Sequence, residues 1–501
     1  MTFPDLYALL LFLGVCFALG YFRVFRVEGL GKWDLSFAFA LKGLASLFFI
    51  YIYTYYYGVG FLYFDSGFYI NDAKILNQVI YKSPLDYFKL LTGIGETNEL
   101  IRQHLSLTEK WSRPYSLLTD DAKNVTRISS IIHFFSFNSI YVHFIVFNLF
   151  ALSGMKNIYV FFRKYITVND RIFFFALILL PSLLFWSSGV LKEPMLIFSI
   201  GLFLKSLRIS NERKILKLFL LVISLILMLN FKTYVLLACI IPFIFVIIST
   251  LIFGKKPLWV GLVTVFAFLV ICLVSLPKQR QKIVDYISLK QFDFNNISMG
   301  GIYFLQENQP YAYNIQPDDY NNLEMEGDSL KIIHRTKAYI FHRTEKNGLR
   351  KIYLEADTTK KIPVLGVYHR SNSYIETTLI FSSFRQMMFN IPEALVNCLF
   401  RPFWNDPSPK FKFITILETW LLFGFLAFAL FKRKKLTRME KIVIVALILF
   451  AINLSLIIGW ATPVLGAIVR YRTPVYLGIL IIAFILLQPS SDLWKKKTDI
   501  S

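Results

Sequence analysis

The chain has 501 residues, 56% of them hydrophobic, with 51 phenylalanines and a mean hydropathy of +0.54. That composition excludes a soluble globular protein, and apolar runs without strand-like alternation exclude a membrane barrel, leaving spanning helices. The formal charge of +22 does not point to nucleic acid, because Lys and Arg lie mainly between the apolar runs.

In chain order, apolar runs predict eleven spans near 5–22, 35–63, 137–161, 172–188, 191–207, 215–230, 232–253, 257–276, 412–431, 440–459 and 474–488. The close pairs at 172–207 and 215–253 read equally well as re-entrant hairpins. The first run, Leu6 to Tyr21, has no basic residue before it and no small-residue cleavage site after it, so it reads as an uncleaved helix.

Alternate connections are basic: Arg23, Arg26 and Lys32; Arg163, Lys164 and Arg171; Lys205, Arg208, Arg213, Lys214 and Lys217; Lys255 and Lys256; Lys432, Arg433, Lys434, Lys435, Arg438 and Lys441; Lys495, Lys496 and Lys497. The positive-inside rule then sets the N-terminus outside and the C-terminus in the cytoplasm. The expected fold is an all-α polytopic membrane protein of about eleven transmembrane helices with a small, partly β extracytoplasmic insert. It divides into a membrane segment over 1–276, an outer insert over 277–411 and a C-terminal membrane segment over 412–501.

Two outer connections are long. The first, 64–136, mixes Leu105, Trp111 and Tyr115 with charges, as amphipathic helices on a bilayer surface do. In the second, 277–411, Lys337 to Phe341 and Ile362 to Tyr368 read as short strands and Asn347-Gly348 as a turn, ahead of a helix from about Tyr374 to Phe400.

Charges beside spans are costly and mark candidate sites unless they snorkel to the interface. On the outer side these are Asp65 and Asp72, Lys192 and Glu193, Lys232, Arg385 with Glu393 and Arg401, and Arg470 with Arg472. Asp65, at a membrane exit among aromatics, suits a general base, or caps a helix over 66–80 that carries Asp72 on the same face. Lys192 follows the helix-breaking Pro181 and Gly189, in a tight turn that either holds an anion or is simply capped by a local ion pair with Glu193. Arg470 and Arg472, on an extended segment before Pro474, project to one side and either clamp a phosphate or anchor the last span.

Cys16, Cys239, Cys272 and Cys398 lack CxxC spacing, and the six histidines lack ligand spacing, so neither a disulfide framework nor a metal site is indicated. There is no P-loop, nucleophile elbow or dinucleotide fingerprint.

Asp65 with Tyr69-x-x-x-Ala73 past an early span, Phe185-Trp186-Ser187-x-x-x-x-Lys192-Glu193 mid-chain and Arg470-x-Arg472-x-Pro474 before the last span together resemble the GT-C superfamily of integral-membrane glycosyltransferases. The resemblance implies a polyprenyl-phosphate-linked sugar donor and an extracytoplasmic saccharide or glycoconjugate acceptor. Asp65 would serve as base, Tyr69, Asp72 and Glu193 would line the site, and Lys192, Lys232, Arg385, Arg401, Arg470 and Arg472 would hold substrate or phosphate. The chain departs from the pattern in that Asp65 follows the second span, and no paired Asp-Glu or DxD supports a divalent metal. Arg401-Pro-Phe-Trp404 with Glu418 also resembles polytopic proteins of bacterial surface-polysaccharide synthesis.

Two other classes compete. A lipid-linked polysaccharide polymerase of the O-antigen or capsule type would depend on Arg385, Arg401, Arg470 or Arg472 rather than on Asp65. A transporter or flippase would show inverted repeats and charges at the midplane, and no such repeat is seen. High Phe, Ile and Lys usage suggests a bacterium with an AT-rich genome and a cytoplasmic-membrane location.

Overall fold

The computed structural model describes residues 2–58, 60–109, 111, 121–209, 213–252, 258–305, 312–327, 329–341, 349–407 and 411–488. Tyr115, Lys255 and Lys256, the Asn347-Gly348 turn and the basic tail from Lys495 to Lys497 lie outside these. The chain forms two compact units, one of residues 1–240, 422–447 and 476–501 and the other of residues 241–421 and 448–475.

In the first unit, α1 (Phe3–Tyr21) starts on a Thr2–Asp5 capping box, and α2 (Asp34–Tyr51) continues through a π-helical turn over Ile52–Tyr56. α1 keeps Leu10, Leu13 and Phe17 exposed, as a helix solvated by lipid must. After the second span come α3 (Phe64–Lys82), α4 (Pro84–Thr92), α5 (Asn98–Leu105) and α6 (Asp121–Ser136). The Ser83 and Thr97 hydroxyls cap α4 and α5 by accepting from the Asp86 and Leu100 N–H groups. Gly93, at φ +76°, ends α4 in the left-handed conformation that glycine adopts without penalty. Leu76, Val79, Tyr87, Leu90, Leu105 and Trp111 form the buried core of this layer, so the 64–136 connection has the amphipathic helices its composition implies.

α7 (Ile140–Phe162), α8 (Asp170–Ile178), α9 (Pro181–Trp186) and α10 (Lys192–Arg208) follow. α7 and α10 cross at Gly154 and Gly201, where a Cβ on either residue would collide with the other helix's backbone. At one end of the unit Arg171 pairs with Asp34 at 2.7 Å, and Arg163 with Asp170 at 2.9 Å. α11 (Lys214–Ile247) breaks at Lys232, whose backbone (φ −154°, ψ 73°) is not helical.

The second unit contains α12 (Leu258–Ser275) and α13 (Pro277–Met299), then β1 (Gly301–Leu305), β2 (Ala312–Ile315), β3 (Leu323–Glu326), β4 (Ser329–Ile332), β5 (Thr336–Phe341), β6 (Leu349–Leu354) and β7 (Asp357–Tyr368). The strands form one antiparallel sheet, ordered β3-β4-β7-β1-β2-β5-β6, over a core that includes Phe304, Ile315, Leu330 and Ala338. The sheet is open, with β3 and β6 at its edges. Both strands expected from sequence are present, as β5 and β7.

The expected helix from 374 to 400 is shorter and broken. It is replaced by α14 (Phe384–Phe389) and α15 (Ile391–Leu399), because Phe381 and Ser382 adopt positive φ and Ser383 caps a new start. α16 (Lys412–Phe431), α17 (Arg438–Ala461), α18 (Leu465–Tyr471) and α19 (Thr473–Leu486) complete the chain.

Among the described residues seven helices are long and apolar enough to span a bilayer, or eight if the pair α18 and α19, bent by 48°, forms one span. The eleven expected segments map differently onto the chain. The 172–188 run is split into α8 and α9 at Leu180-Pro181, since Pro181 has no N–H to continue a helix but fits the start of one. The 191–207 run is the 17-residue α10. The 215–230 and 232–253 runs belong to one element broken at Lys232.

Candidate functional site

The first unit gathers four of the predicted residues around the turn between α9 and α10. Asp65 lies in the first turn of α3, half-buried, with Tyr63 rather than Asp65 at the N-cap, so the helix starts earlier than the capping reading required. A carboxylate in that turn is favoured by the helix dipole. Phe64, just before it, is held at φ 58°, a left-handed backbone that costs a non-glycine residue about 1–2 kcal/mol. The next side chain, the Ser66 hydroxyl, donates to the Val190 carbonyl at 3.1 Å, two residues before Lys192. The acidic start of α3 is thus tied to the α9–α10 turn.

Lys192 is the first residue of α10 and is half-buried. Glu193, 4% exposed, has its carboxylate 3.5 Å from Nζ of Lys232, itself 5% exposed. The sequence points to a local ion pair with Lys192; the partner the structure gives Glu193 here is Lys232, at the break in α11. α6 reaches the same place, where the Asn124 side chain donates to the Asn230 carbonyl at 2.9 Å.

The turn is held from below by a lysine that lies inside an apolar run. Lys42 of α2 is fully buried and donates to the Ser187 carbonyl at 2.9 Å, to the Ser187 hydroxyl at 2.8 Å and to the Ser188 hydroxyl at 3.1 Å. Ser46, one turn on, donates to the Ser188 carbonyl, and the Asn148 amide of α7 donates to Ser46. Lys42 stands about 12 Å along α2 from Asp34 at 1.5 Å per residue, so the turn sits beside the middle of that helix. A charged residue inside a predicted span is the sequence signal for this anchor, and Lys42 is not among the candidates on the outer connections.

Tyr69 and Asp72 are each 1% exposed. The Asp72 carboxylate accepts from the Glu109 N–H at 2.8 Å, which ties the segment after α5 to α3. On the same side His133 of α6 lies 3.1 Å from the Ile70 carbonyl and packs edge-on against His143, ring centroids 4.5 Å apart. Burial pushes the His133 imidazole below its ordinary value despite the Ile70 carbonyl. Among the described residues no cluster of three His, Cys, Asp or Glu could hold a metal ion.

The remaining candidates belong to the second unit, and the structure does not bring them into one clamp. Arg470 is in the last turn of α18 and Arg472 caps that helix in the right-handed helical conformation, so the expected extended segment is helical and the two side chains diverge. Arg472 is completely buried. Its guanidinium donates to the carbonyls of Cys398, at 3.0 Å, and Arg401, and to the Thr419 hydroxyl at 3.3 Å. Arg401 pairs with Asp406 at 2.9 Å, and Arg385 is exposed with its guanidinium 5.5 Å from the Phe389 ring. Glu393 accepts from the Thr378 N–H at 3.1 Å.

Comparisons with family models, with curated proteins and with solved structures find no match.

Proposed function

We propose that the chain is an integral-membrane glycosyltransferase that uses a polyprenyl-phosphate-linked sugar at the outer face of a bacterial cytoplasmic membrane, with its N-terminus outside and its C-terminus inside. The observation that carries this reading is the Ser66–Val190 bond, which links the residue after Asp65 to the turn that leads into Lys192 and Glu193, the latter paired with Lys232 of α11. A half-buried carboxylate on a helix tied to a turn that ends in a lysine at a helix N-terminus supplies the base and the cation that displacement of a lipid phosphate needs.

In this reading an acceptor hydroxyl loses its proton to Asp65 as its oxygen bonds to the anomeric carbon of the donor. The bond from that carbon to the phosphate oxygen breaks, and the phosphate departs with the electron pair, stabilised by the Lys192 ammonium and the N–H groups at the start of α10. One displacement inverts the anomeric configuration. The polymerase alternative relies on arginines that grip diphosphate, and it is less well supported because Arg472 is committed to backbone carbonyls.

The test is transfer of radiolabelled sugar from a polyprenyl-phosphate donor by proteoliposomes holding the full chain, with the product anomer assigned by NMR. Inverted product, made only from the lipid-linked donor, is expected. Retention of configuration, or equal transfer from a soluble nucleotide sugar, would overturn the reading.

A further inference from the structure

The helices α3, α4, α5 and α6 form a layer that is bonded to itself. The Asn77 amide of α3 donates to the Ser130 carbonyl of α6 at 3.0 Å, and the hydroxyls of Tyr87 and Ser130 lie 3.3 Å apart. Arg127 of α6 donates to the Leu90 carbonyl of α4, and Glu96, between α4 and α5, accepts from Lys123 and Arg127. Bonds that cross from this layer to the rest of the first unit include Ser66 to Val190 and Asn124 to Asn230.

Strained backbone joins the layer to the neighbouring spans at both ends. Among the described residues of the first unit, the non-glycine residues with positive φ are Phe64 at 58°, where α3 begins, and Phe137 at 49° and Asn138 at 61°, where α6 gives way to α7. An L side chain is disfavoured there, asparagine less so than phenylalanine. Such strain persists only where its surroundings enforce it, and element ends that absorb a φ/ψ change are the usual hinges.

The interior that such hinges would uncover is poorly satisfied. Ser129 and Ser136, about two turns apart on one face of α6, have buried hydroxyls without a hydrogen-bond partner. At the start of α7 the same is true of the Ser139 hydroxyl and of both ring nitrogens of His143, which is fully buried against His133. Serines elsewhere in the unit behave otherwise: Ser199, Ser206 and Ser224 each donate to a carbonyl of their own helix at 2.7 Å. Unpaired buried groups penalise the closed state and regain hydrogen bonds once water reaches them. Besides α3, to whose layer it is bonded, α6 meets α7 and α10.

We propose that the α3–α6 layer is a lid, hinged at Phe64 and at Phe137 and Asn138, that swings from α7 and α10 and wets Ser129, Ser136 and His143 as it opens. The lid's role rests on the glycosyltransferase reading: opening admits the saccharide, and closure remakes the Ser66–Val190 bond that ties α3 to the α9–α10 turn. The motion itself does not rest on it.

The experiment measures the rate at which a thiol-reactive maleimide labels Ser129→Cys and Ser136→Cys in the detergent-purified full chain. Wild type gives the background of the four native cysteines, and Ile131→Cys, at a position 48% exposed on the same helix, gives the unhindered rate. Both buried positions should label to completion at one common rate, about tenfold or more below that of Ile131→Cys. Proline holds φ near about −65° and is barred from the closed hinge, so adding Asn138→Pro should bring both rates to within about threefold of the unhindered one. Glycine takes the left-handed backbone without penalty, so adding Asn138→Gly should slow both about threefold. No labelling of either position overturns the lid, as does labelling of Ser136→Cys far ahead of Ser129→Cys, which fraying from the helix end would give. Rates unchanged by Asn138→Pro also overturn it; if thermal melting shows that variant unfolded, rates unchanged by Asn138→Gly do so instead. A lid that opens in a chain without lipid-donor transfer retains the hinges and removes the glycosyltransferase reading, and transfer without labelling does the reverse.

Discussion

Asp65 and Arg472 are both charged residues beside predicted spans, yet their surroundings differ in kind. Asp65 is half-buried at the start of a helix tied to the α9–α10 turn, whereas the Arg472 guanidinium is enclosed and donates to two carbonyls and a hydroxyl. The difference teaches that a charge beside a predicted span can hold the fold together as readily as it can mark a candidate site. A planar fork directed at backbone carbonyls is a structural fastener.

The comparison can be broken most directly at Asp65. Replacement by Asn removes the proton acceptor and should lower transfer by about 10²–10⁴-fold without lowering the melting temperature, measured on purified protein. Arg472→Ala should do the opposite. It leaves the Cys398 and Arg401 carbonyls without their donor and should cost about 2–5 kcal/mol of stability, read as loss of folded protein in denaturant titration. An Arg472→Ala protein that melts normally but has lost activity would return that arginine to the substrate.

Two smaller effects sharpen the account of the first unit. Gly201→Leu forces a side chain into the backbone of α7 at Gly154 and should cost about 1–3 kcal/mol, seen as a lower melting temperature. The smallest effect concerns pH. Burial alone would raise the Glu96 carboxyl, but hydrogen bonds from Lys123 and Trp111 and the charges of Lys123 and Arg127 hold it below its ordinary value. A carboxylate so depressed contributes stability that is fully present above about pH 4.3 and is lost as pH falls through its lower folded value. Protection factors over residues 84–105, corrected for intrinsic exchange, should therefore fall as pH drops below about 4.3, and unchanged protection would remove the ion cluster from the stability of this layer.

The membrane character was legible because runs such as Leu6 to Tyr21 have one physical explanation, and β5 and β7 showed in their short apolar and β-branched stretches. The break at Lys232 and the split at Pro181 were visible as punctuation, but whether a broken run spans the bilayer depends on what the break packs against. Asp65, Lys192, Glu193 and Lys232 were identified by their cost beside lipid, and the turn that unites them was read from Pro181 and Gly189. The commitment of Arg472 was not legible, because the Cys398 and Arg401 carbonyls lie some seventy residues earlier in the chain. Lys42 was legible in principle as a charge inside a span, although nothing local named Ser187 as its acceptor. The ion cluster of Glu96 with Lys123 and Arg127 left a fainter trace in the i, i+4 spacing of the two cations on one helix face.

The central claim is that chemistry resides at Asp65 and that Arg472 maintains structure. One measurement decides it: transfer from the polyprenyl-phosphate donor per folded molecule, compared among wild type, Asp65→Asn and Arg472→Lys in matched proteoliposomes. The account predicts near-complete loss for Asp65→Asn and wild-type turnover for the Arg472→Lys molecules that fold. Full turnover of Asp65→Asn, with loss confined to folded Arg472→Lys, would contradict it.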